Sequence, residues 1–433
     1  MIAVFCALLL ALNPQAPTPT AAPELPTELA RVVDLPSREA RQKGVDELLA
    51  KSRDVAQWTA ACTSFGTFAP LEPGPSRQTV DLHVLDRVEA TELFLFVPKS
   101  YDPSKPAPLL LWGHGAGGTG AREHLHWEKV AEQLGMLVLA PTAFDKQPGY
   151  HFAARERAAA LAALRWARRR ANVDENAIFV GGWSQGGHQT WDLALRYPDL
   201  FAGALPVVGG PRAEMGVKNN LRFLENVTTL PIRDLQGSGD DDMLLLNLRL
   251  AFARLQKFGH KDAQFVEFKD RGHDADLTAV DWAAFFANRR VVRPARVVRV
   301  ATELAEARAA FGEITKVDAQ VVVDGPLVVS PAAWNALDEA GKRAYALDKL
   351  ADMTARLCVT DKSKGQFLAE GKHVAAFTLW LAADQLGKDG AVEVRWQGKL
   401  SKQKLVSEAA VLLRDFVERF DRTRLPVARM LVP

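Results

Sequence analysis

The sequence predicts an α/β fold: a mostly parallel sheet flanked by helices on both faces, with a smaller C-terminal β-rich domain. Three observations carry this reading. Between residues 108 and 270, short and nearly all-apolar runs alternate with helix-compatible stretches. Strands buried on both faces lose polar alternation, and parallel neighbours need helical crossovers. After about residue 290 the pattern changes to alternating, valine-rich runs, while 26–60 is charged and helix-compatible.

The 433 residues leave room for two or three domains of roughly 150 residues each. Hydrophobic residues make up 48% and charged residues 24%, which excludes a disordered, collagen-like or coiled-coil chain. Lys+Arg 54 against Asp+Glu 52 gives a net charge of +2. The basic residues are spread along the chain, so no nucleic-acid partner is implied. Only 3 Cys are present, without CxxC, HExxH or any ligand cluster, so neither a disulfide scaffold nor a metal site is indicated.

Residues 2–12, IAVFCALLLAL, are too short for a membrane span, which needs about 20 residues. They suit the apolar core of a secretory signal, although no Lys or Arg precedes them. Residues 1–23 therefore read as signal peptide and Pro/Ala/Thr-rich linker, and the protein as secreted or periplasmic. No later stretch predicts a membrane span. Cys6 would leave with the signal. Cys62 and Cys358 would remain, and two separate buried thiols is the simpler reading, though an oxidising compartment permits a disulfide.

Residues 24–77 form an N-terminal helical extension, with one or two helices over 26–60 and a proline-broken stretch at 68–77. In the domain spanning 78–294, 79–85 and 91–98 read as paired strands. Strands follow at 108–113, 136–141, 177–182, 201–209, 230–237 and 265–270. Helices are predicted at 122–134, 153–171, 187–197, 242–258 and 276–288. Arg168, Arg169 and Arg170 close the second helix, where they complement its dipole. In the domain 295–433, strand-like runs at 319–329, 373–382 and 391–398 surround a helix-compatible piece at 331–356. Trp380 and Trp396 read as core. Ser401–Lys404 satisfies S-x-x-K by chance, in a polar turn without its companion motifs.

The strongest chemical signal is GGWSQGG at 181–187, holding G-x-S-x-G as Gly182, Trp183, Ser184, Gln185 and Gly186. A strand runs into it and a helix follows, the context a nucleophile elbow requires. A serine hydroxyl needs a base, and the base an orienting acid. His273 is the histidine placed just beyond the last apolar strand. Between serine and histidine, LPIRDLQGSGDDD offers Asp240 first and Asp241 as the alternative. Asp274, beside His273, reads as a helix cap or local partner. The glycine-rich LLLWGHGAGGTG (109–120) lacks the phosphate-loop pattern. Its Gly115 or Ala116 N–H, with that of Gln185, would form an oxyanion hole. Trp183, Phe144, Tyr150 and Phe152 are candidates to line an apolar pocket.

These pieces, in the order oxyanion loop, Ser184, Asp240, His273, resemble the α/β-hydrolase superfamily across about 78–290. The segment GGWSQGGHQTWDLALRYPDLFAGALPVVGG resembles the secreted esterase and polyhydroxybutyrate-depolymerase-like branch, related to prolyl-oligopeptidase-type catalytic domains. The acid loop departs from the branch, having Gln236-Gly237 where His-Gly is common. The resemblance implies a serine hydrolase with Ser184 as nucleophile, His273 as base and Asp240 as acid, and no cofactor. The implied substrate is a small-molecule ester, a short peptide or a polyester. A serine peptidase and a non-catalytic scaffold are the alternatives; the sequence leaves the oligomeric state open.

Overall fold

The structure, a computed structural model, describes residues 24–143, 149–212, 214 and 216–433. The stretch 1–23 and Phe144 lie outside the described residues. The apolar runs form the middle of an eight-stranded sheet. Its strands are β1 (Gly74–Val84), β2 (Arg87–Val97), β3 (Ala107–Gly113), β4 (Leu137–Pro141), β5 (Val173–Trp183), β6 (Gly203–Val207), β7 (Ile232–Gly237) and β8 (Ala263–Phe268). The order is β1-β2-β4-β3-β5-β6-β7-β8. β2 is antiparallel to both neighbours, and all pairs from β4 onward are parallel. β1 starts inside the proline-broken stretch, because an edge strand tolerates Pro75.

Period-two alternation sends side chains to both faces. Leu109, Leu111, Ile178 and Val180 pack on α5 (Ala154–Arg170), α6 (Gln185–Arg196) and α7 (Asp242–Lys257). Leu110, Trp112 and Phe179 face α4 (Glu128–Leu134) and α8 (Trp282–Ala287). That second face is aromatic: Trp127 sits 4.8 Å from Trp112 and 5.3 Å from Trp282, ring centroid to centroid. Burying each such side chain contributes about 1.5–3 kcal/mol. The helix expected at 276–288 is shorter, with a 3-10 turn at Leu277–Ala279 capped by Asp276 before α8 starts at Trp282.

The C-terminal region is a sandwich. Its strands are β9 (Arg296–Ala301), β10 (Arg308–Ala309), β11 (Gly312–Val317), β12 (Ala355–Asp361), β13 (Gln366–Lys372), β14 (Val374–Leu381), β15 (Ala391–Trp396), β16 (Lys399–Lys404) and β17 (Ala428–Val432). They form sheets β16-β15-β13-β12-β9 and β10-β11-β14-β17, which share one core of Leu357, Val392, Trp396, Phe377 and Leu379. Trp380 is half-buried, its Nε1 bonded to Glu313 at 2.5 Å.

Three expectations fail here. The run 319–329 forms no strand: Asp318 and Asp324 turn the backbone at Gln320 and Gly325, and Val328 is 77% exposed. The piece 331–356 divides into α9 (Pro331–Asn335) and α10 (Glu339–Ala351), and its last residues start β12. Ser401–Lys404 lies in the edge strand β16 rather than a turn, with Lys402 paired to Glu393. Lysines on such an edge discourage pairing with other chains.

Residues 26–60 hold three helices, α1 (Glu24–Val33), α2 (Arg38–Lys51) and α3 (Val55–Thr63). Ser37 and Asp54 start the second and third by accepting bonds from Ala40 and Ala56 N–H. Their apolar faces meet α11 (Ala409–Arg419) in a core of Leu29, Trp58, Phe65, Leu412, Phe416 and Phe420. The arginines at the end of α5 do more than complement their own dipole. Arg165 donates to Glu418 and Val417 carbonyls at 3.1 and 2.9 Å, and buried Arg168 donates to those of Arg419 and Phe420. The last carbonyls of α11, orphaned by helix geometry, thus find cationic donors. Cys62 on α3 and Cys358 in β12 are buried free thiols. No helix among the described residues is long and apolar enough to cross a membrane.

Candidate active site

β5 ends in a turn that sets Ser184 at φ 55, ψ −108, a sparsely populated conformation for a residue with a side chain. Two backbone bonds hold it: Ser184 N–H donates to Val207 O at 2.8 Å, and Gly186 N–H to His114 O at 3.1 Å. α6 must start directly on top of β3. A Cβ on Gly186 would overlap the Gly113 carbonyl, so only glycine permits this approach.

Three loops at the carboxyl ends of β5, β7 and β8 bring Ser184, Asp240 and His273 together. Ser184 Oγ lies 2.7 Å from His273 Nε2, and His273 Nδ1 lies 2.9 Å from Asp240 Oδ2. The His273 side chain is 50% exposed and that of Asp240 only 9%. The histidine loop reaches the acid loop because Gly237 has no Cβ to collide with the Gly272 carbonyl. Gly239 N–H then donates to Arg271 O at 2.8 Å. Asp241 faces elsewhere: it is the N-cap of α7, accepting from Leu244 N–H at 2.8 Å. Asp274 caps nothing and pairs with Arg271 at 3.0 Å.

Gln236 is the residue whose part sequence reasoning missed. Fully buried in β7, it donates through Nε2 to Asp240 Oδ2, the oxygen that faces His273. Asp241 N–H supplies the other carboxylate oxygen at 2.8 Å. Gln236 shares β7 with Arg233 and Asp234, so polarity alone did not single it out; in sequence it registered only as a departure from His-Gly.

The glycine loop after β3 packs beside the serine, with a Cβ on Gly115 placed 4.0 Å from that of Ser184. Buried His114 pins the loop. Its Nε2 accepts from Ala143 N–H at 2.9 Å, which leaves Nδ1 to donate to Gly115 O at 2.7 Å. Gln185 is the first residue of α6, so its N–H has no partner within the helix and projects from the positive end of the dipole. Ala116 is exposed.

Of the expected pocket residues, Trp183 is half-buried and stacks on His126, with centroids 6.4 Å apart. Tyr150 lines a recess of about 40 Å³ with His114 and Gln185. Its hydroxyl donates to Asp192 at 3.0 Å, and burial, reinforced by that carboxylate, pushes its pKa up. Phe152 packs 4.9 Å from Tyr150 and 5.8 Å from His188. Burial lowers the His188 pKa.

Tyr150 thereby joins a sealed charge network. Asp192 also accepts from Arg157 and Arg196, both at 3.1 Å, and Glu306 pairs with the same two arginines. Burial works against the Arg157 charge, but the Asp192 and Glu306 carboxylates outweigh it and raise its pKa. Among the described residues no group of three or more His, Cys, Asp or Glu could hold a metal ion.

No family model matches the chain. Poly(3-hydroxyalkanoate) depolymerase C of Paucimonas lemoignei is 45% identical over 9% of this chain and 10% of its own. Poly(3-hydroxybutyrate) depolymerase of Ralstonia pickettii is 28% identical over 38% of this chain and 40% of its own. The chain therefore matches well under half the length of either relative. A solved thermostable esterase superposes on 50% of this chain and 63% of its own, at 22% identity and a TM-score of 0.41. The sheet order and the strand–turn–helix at Ser184 are those of an α/β-hydrolase fold.

Proposed function

We propose that the protein is a serine hydrolase that cleaves carboxylic esters through an acyl-serine intermediate. The observation that carries this is the relay of Ser184 Oγ, His273 and Asp240, with distances of 2.7 and 2.9 Å, on an imidazole half open to solvent. Ser184 Oγ attacks the ester carbonyl carbon while His273 Nε2 takes its proton. Asp240, held by Gln236 and by Asp241 N–H, keeps Nδ1 protonated and stabilises the imidazolium. The negative charge that forms on the carbonyl oxygen is met by the Gln185 N–H and that of Gly115 or Ala116. Each such donor is worth about 3–4 kcal/mol in the transition state. The C–O bond to the alcohol breaks, and the alcohol leaves with the proton from His273. Water repeats the cycle on the acyl-enzyme, releasing the acid and restoring Ser184. Export is part of the proposal and is supported by the sequence of residues 2–12 alone.

A fluorophosphonate probe with peptide mapping tests this, alongside 4-nitrophenyl esters and peptide anilides. The expected result is one label, on Ser184, absent in Ser184→Ala, with esters turned over faster than anilides. No label, or a label elsewhere, overturns the assignment. Faster anilide cleavage would make the protein a peptidase.

A further inference from the structure

A second cavity, of about 350 Å³, is lined by Phe152, Arg212, Lys218 and Arg222, with the carboxylates of Glu303 and Asp324 also on its wall. Arg157 and Arg196 also border it, but Asp192 and Glu306 already neutralise them. The other cations are compensated less well. Among the described residues Lys218 pairs with Asp324 alone, at 3.2 Å, with both side chains at least half exposed. Arg212 pairs through Nη2 with the half-exposed Glu214. Its Nη1 makes a long 3.4 Å contact to His151 O, and its Nε is buried with no partner among the described residues.

Arg222 is the sharpest case. It is buried and donates to the Val217, Val322 and Met353 carbonyls and to Thr354 Oγ1, at 2.6 to 3.1 Å. All four partners are neutral, and no carboxylate pairs with it among the described residues. Burial, then the neighbouring Arg196, pushes its pKa down to about 10, so it stays cationic at neutral pH. A buried charge without a counter-charge is costly, and an anion entering the cavity relieves that cost.

Arg212, on the cavity wall, lies on the segment of chain that passes the Ser184 turn. Gly209 packs directly on the Ser184 carbonyl, and Arg212 follows three residues later. Chain geometry limits the Cα–Cα span from Gly209 to Arg212 to about 10 Å. The Phe152 ring lines the cavity and lies 5.8 Å from the His188 ring, one turn along α6 from Ser184, and 5.6 Å from the Arg212 guanidinium.

The geometry points to this cavity as a subsite for a carboxylate on the substrate. It rests on the ester-hydrolase reading and narrows it. The substrate class is an ester carrying a free carboxylate on an arm that runs from the scissile carbonyl past Phe152 to Arg212, in a cavity that Arg222 and Lys218 also line.

The test uses two matched ester pairs. One puts the carboxylate on the acyl side, 4-nitrophenyl hydrogen adipate against 4-nitrophenyl hexanoate. The other puts it on the alcohol side, 4-carboxyphenyl butyrate against phenyl butyrate. In at least one pair the wild type is expected to favour the anionic ester at least tenfold in kcat/KM. Arg212→Gln should reduce that ratio at least tenfold, and Arg212→Lys should recover part of it. Adipate dianion should bind the wild type in calorimetry and bind Arg212→Gln at least tenfold more weakly. Turnover of the neutral esters with no anionic preference in either pair would overturn the subsite alone. An unchanged ratio in Arg212→Gln would do the same. Absence of any ester turnover would remove the hydrolase reading, and adipate binding would then decide the cavity independently.

Discussion

Two polar constellations lie within one helix of each other and are built on opposite principles. At the start of α6, Ser184 meets His273 and Asp240 through backbone geometry: an unusual turn, two glycine contacts and loops on three strands. Further along α6, Asp192 and Arg196 meet Arg157 and Glu306 through opposite charges sealed from water. The first keeps its imidazole half exposed, as the proposed proton transfer to a substrate requires. The second exposes none of Asp192 and binds α5 and α6 to the turn that opens the sandwich. A site that does chemistry needs access and an uncommitted proton; a site that joins parts of a chain needs neither.

Removing single groups should separate the two. The largest effect is expected at the acid. Asp240→Asn should lower kcat by about 10⁴ by presenting the wrong histidine tautomer. Asp241→Asn should leave most of the rate, because Asp241 caps α7. Steady-state kinetics on 4-nitrophenyl acetate decides, and a larger loss at Asp241 would move the acid. Next comes the network. Asp192→Ala leaves Arg157 and Arg196 to share Glu306 as their one carboxylate partner and should destabilise the fold by about 3 kcal/mol, read in urea unfolding. A loss no larger than that of a surface substitution would show that water or a rearrangement compensates.

The smallest effect lies at the chain's far end. Burial raises the Asp421 carboxyl, but Arg424, Arg168 and the bonds from Thr423 outweigh it and bring it to about 2. A depressed carboxyl stabilises the fold above its unfolded pKa, near 3.9, and that contribution disappears as pH falls toward 2. Wild type should therefore lose about 2 kcal/mol more than Asp421→Asn between pH 5 and pH 2. Parallel acid unfolding curves for the two would remove this residue from the acid response.

The contrast also explains what the sequence could show. Continuous apolar strands and the glycines around Ser184 are local patterns with one geometric meaning, so the sheet and the serine turn were legible. His273 and Asp240 could be located because each follows its own strand. The Arg157–Asp192–Arg196–Glu306 network was not legible, because its members look like ordinary surface charges until the turn carrying Glu306 packs against α5 and α6. The run 319–329 misled for a related reason. Its valines satisfy strand propensity, but the Asp turns and Gly325-Pro326 prevent a ladder. Gln236 was visible, yet only its contact with Asp240 gives it a role.

The clasp between α1–α3 and α11 has a consequence for biosynthesis. The apolar faces of the first helices find their cover only when Phe416 and Phe420 have been made, more than 350 residues later. At roughly 5–20 residues per second that is about 20–70 seconds of waiting. During it, the nascent chain carries a sticky leading end that a holding chaperone could occupy. A chain cut short before α11 would keep that end uncovered for its whole lifetime.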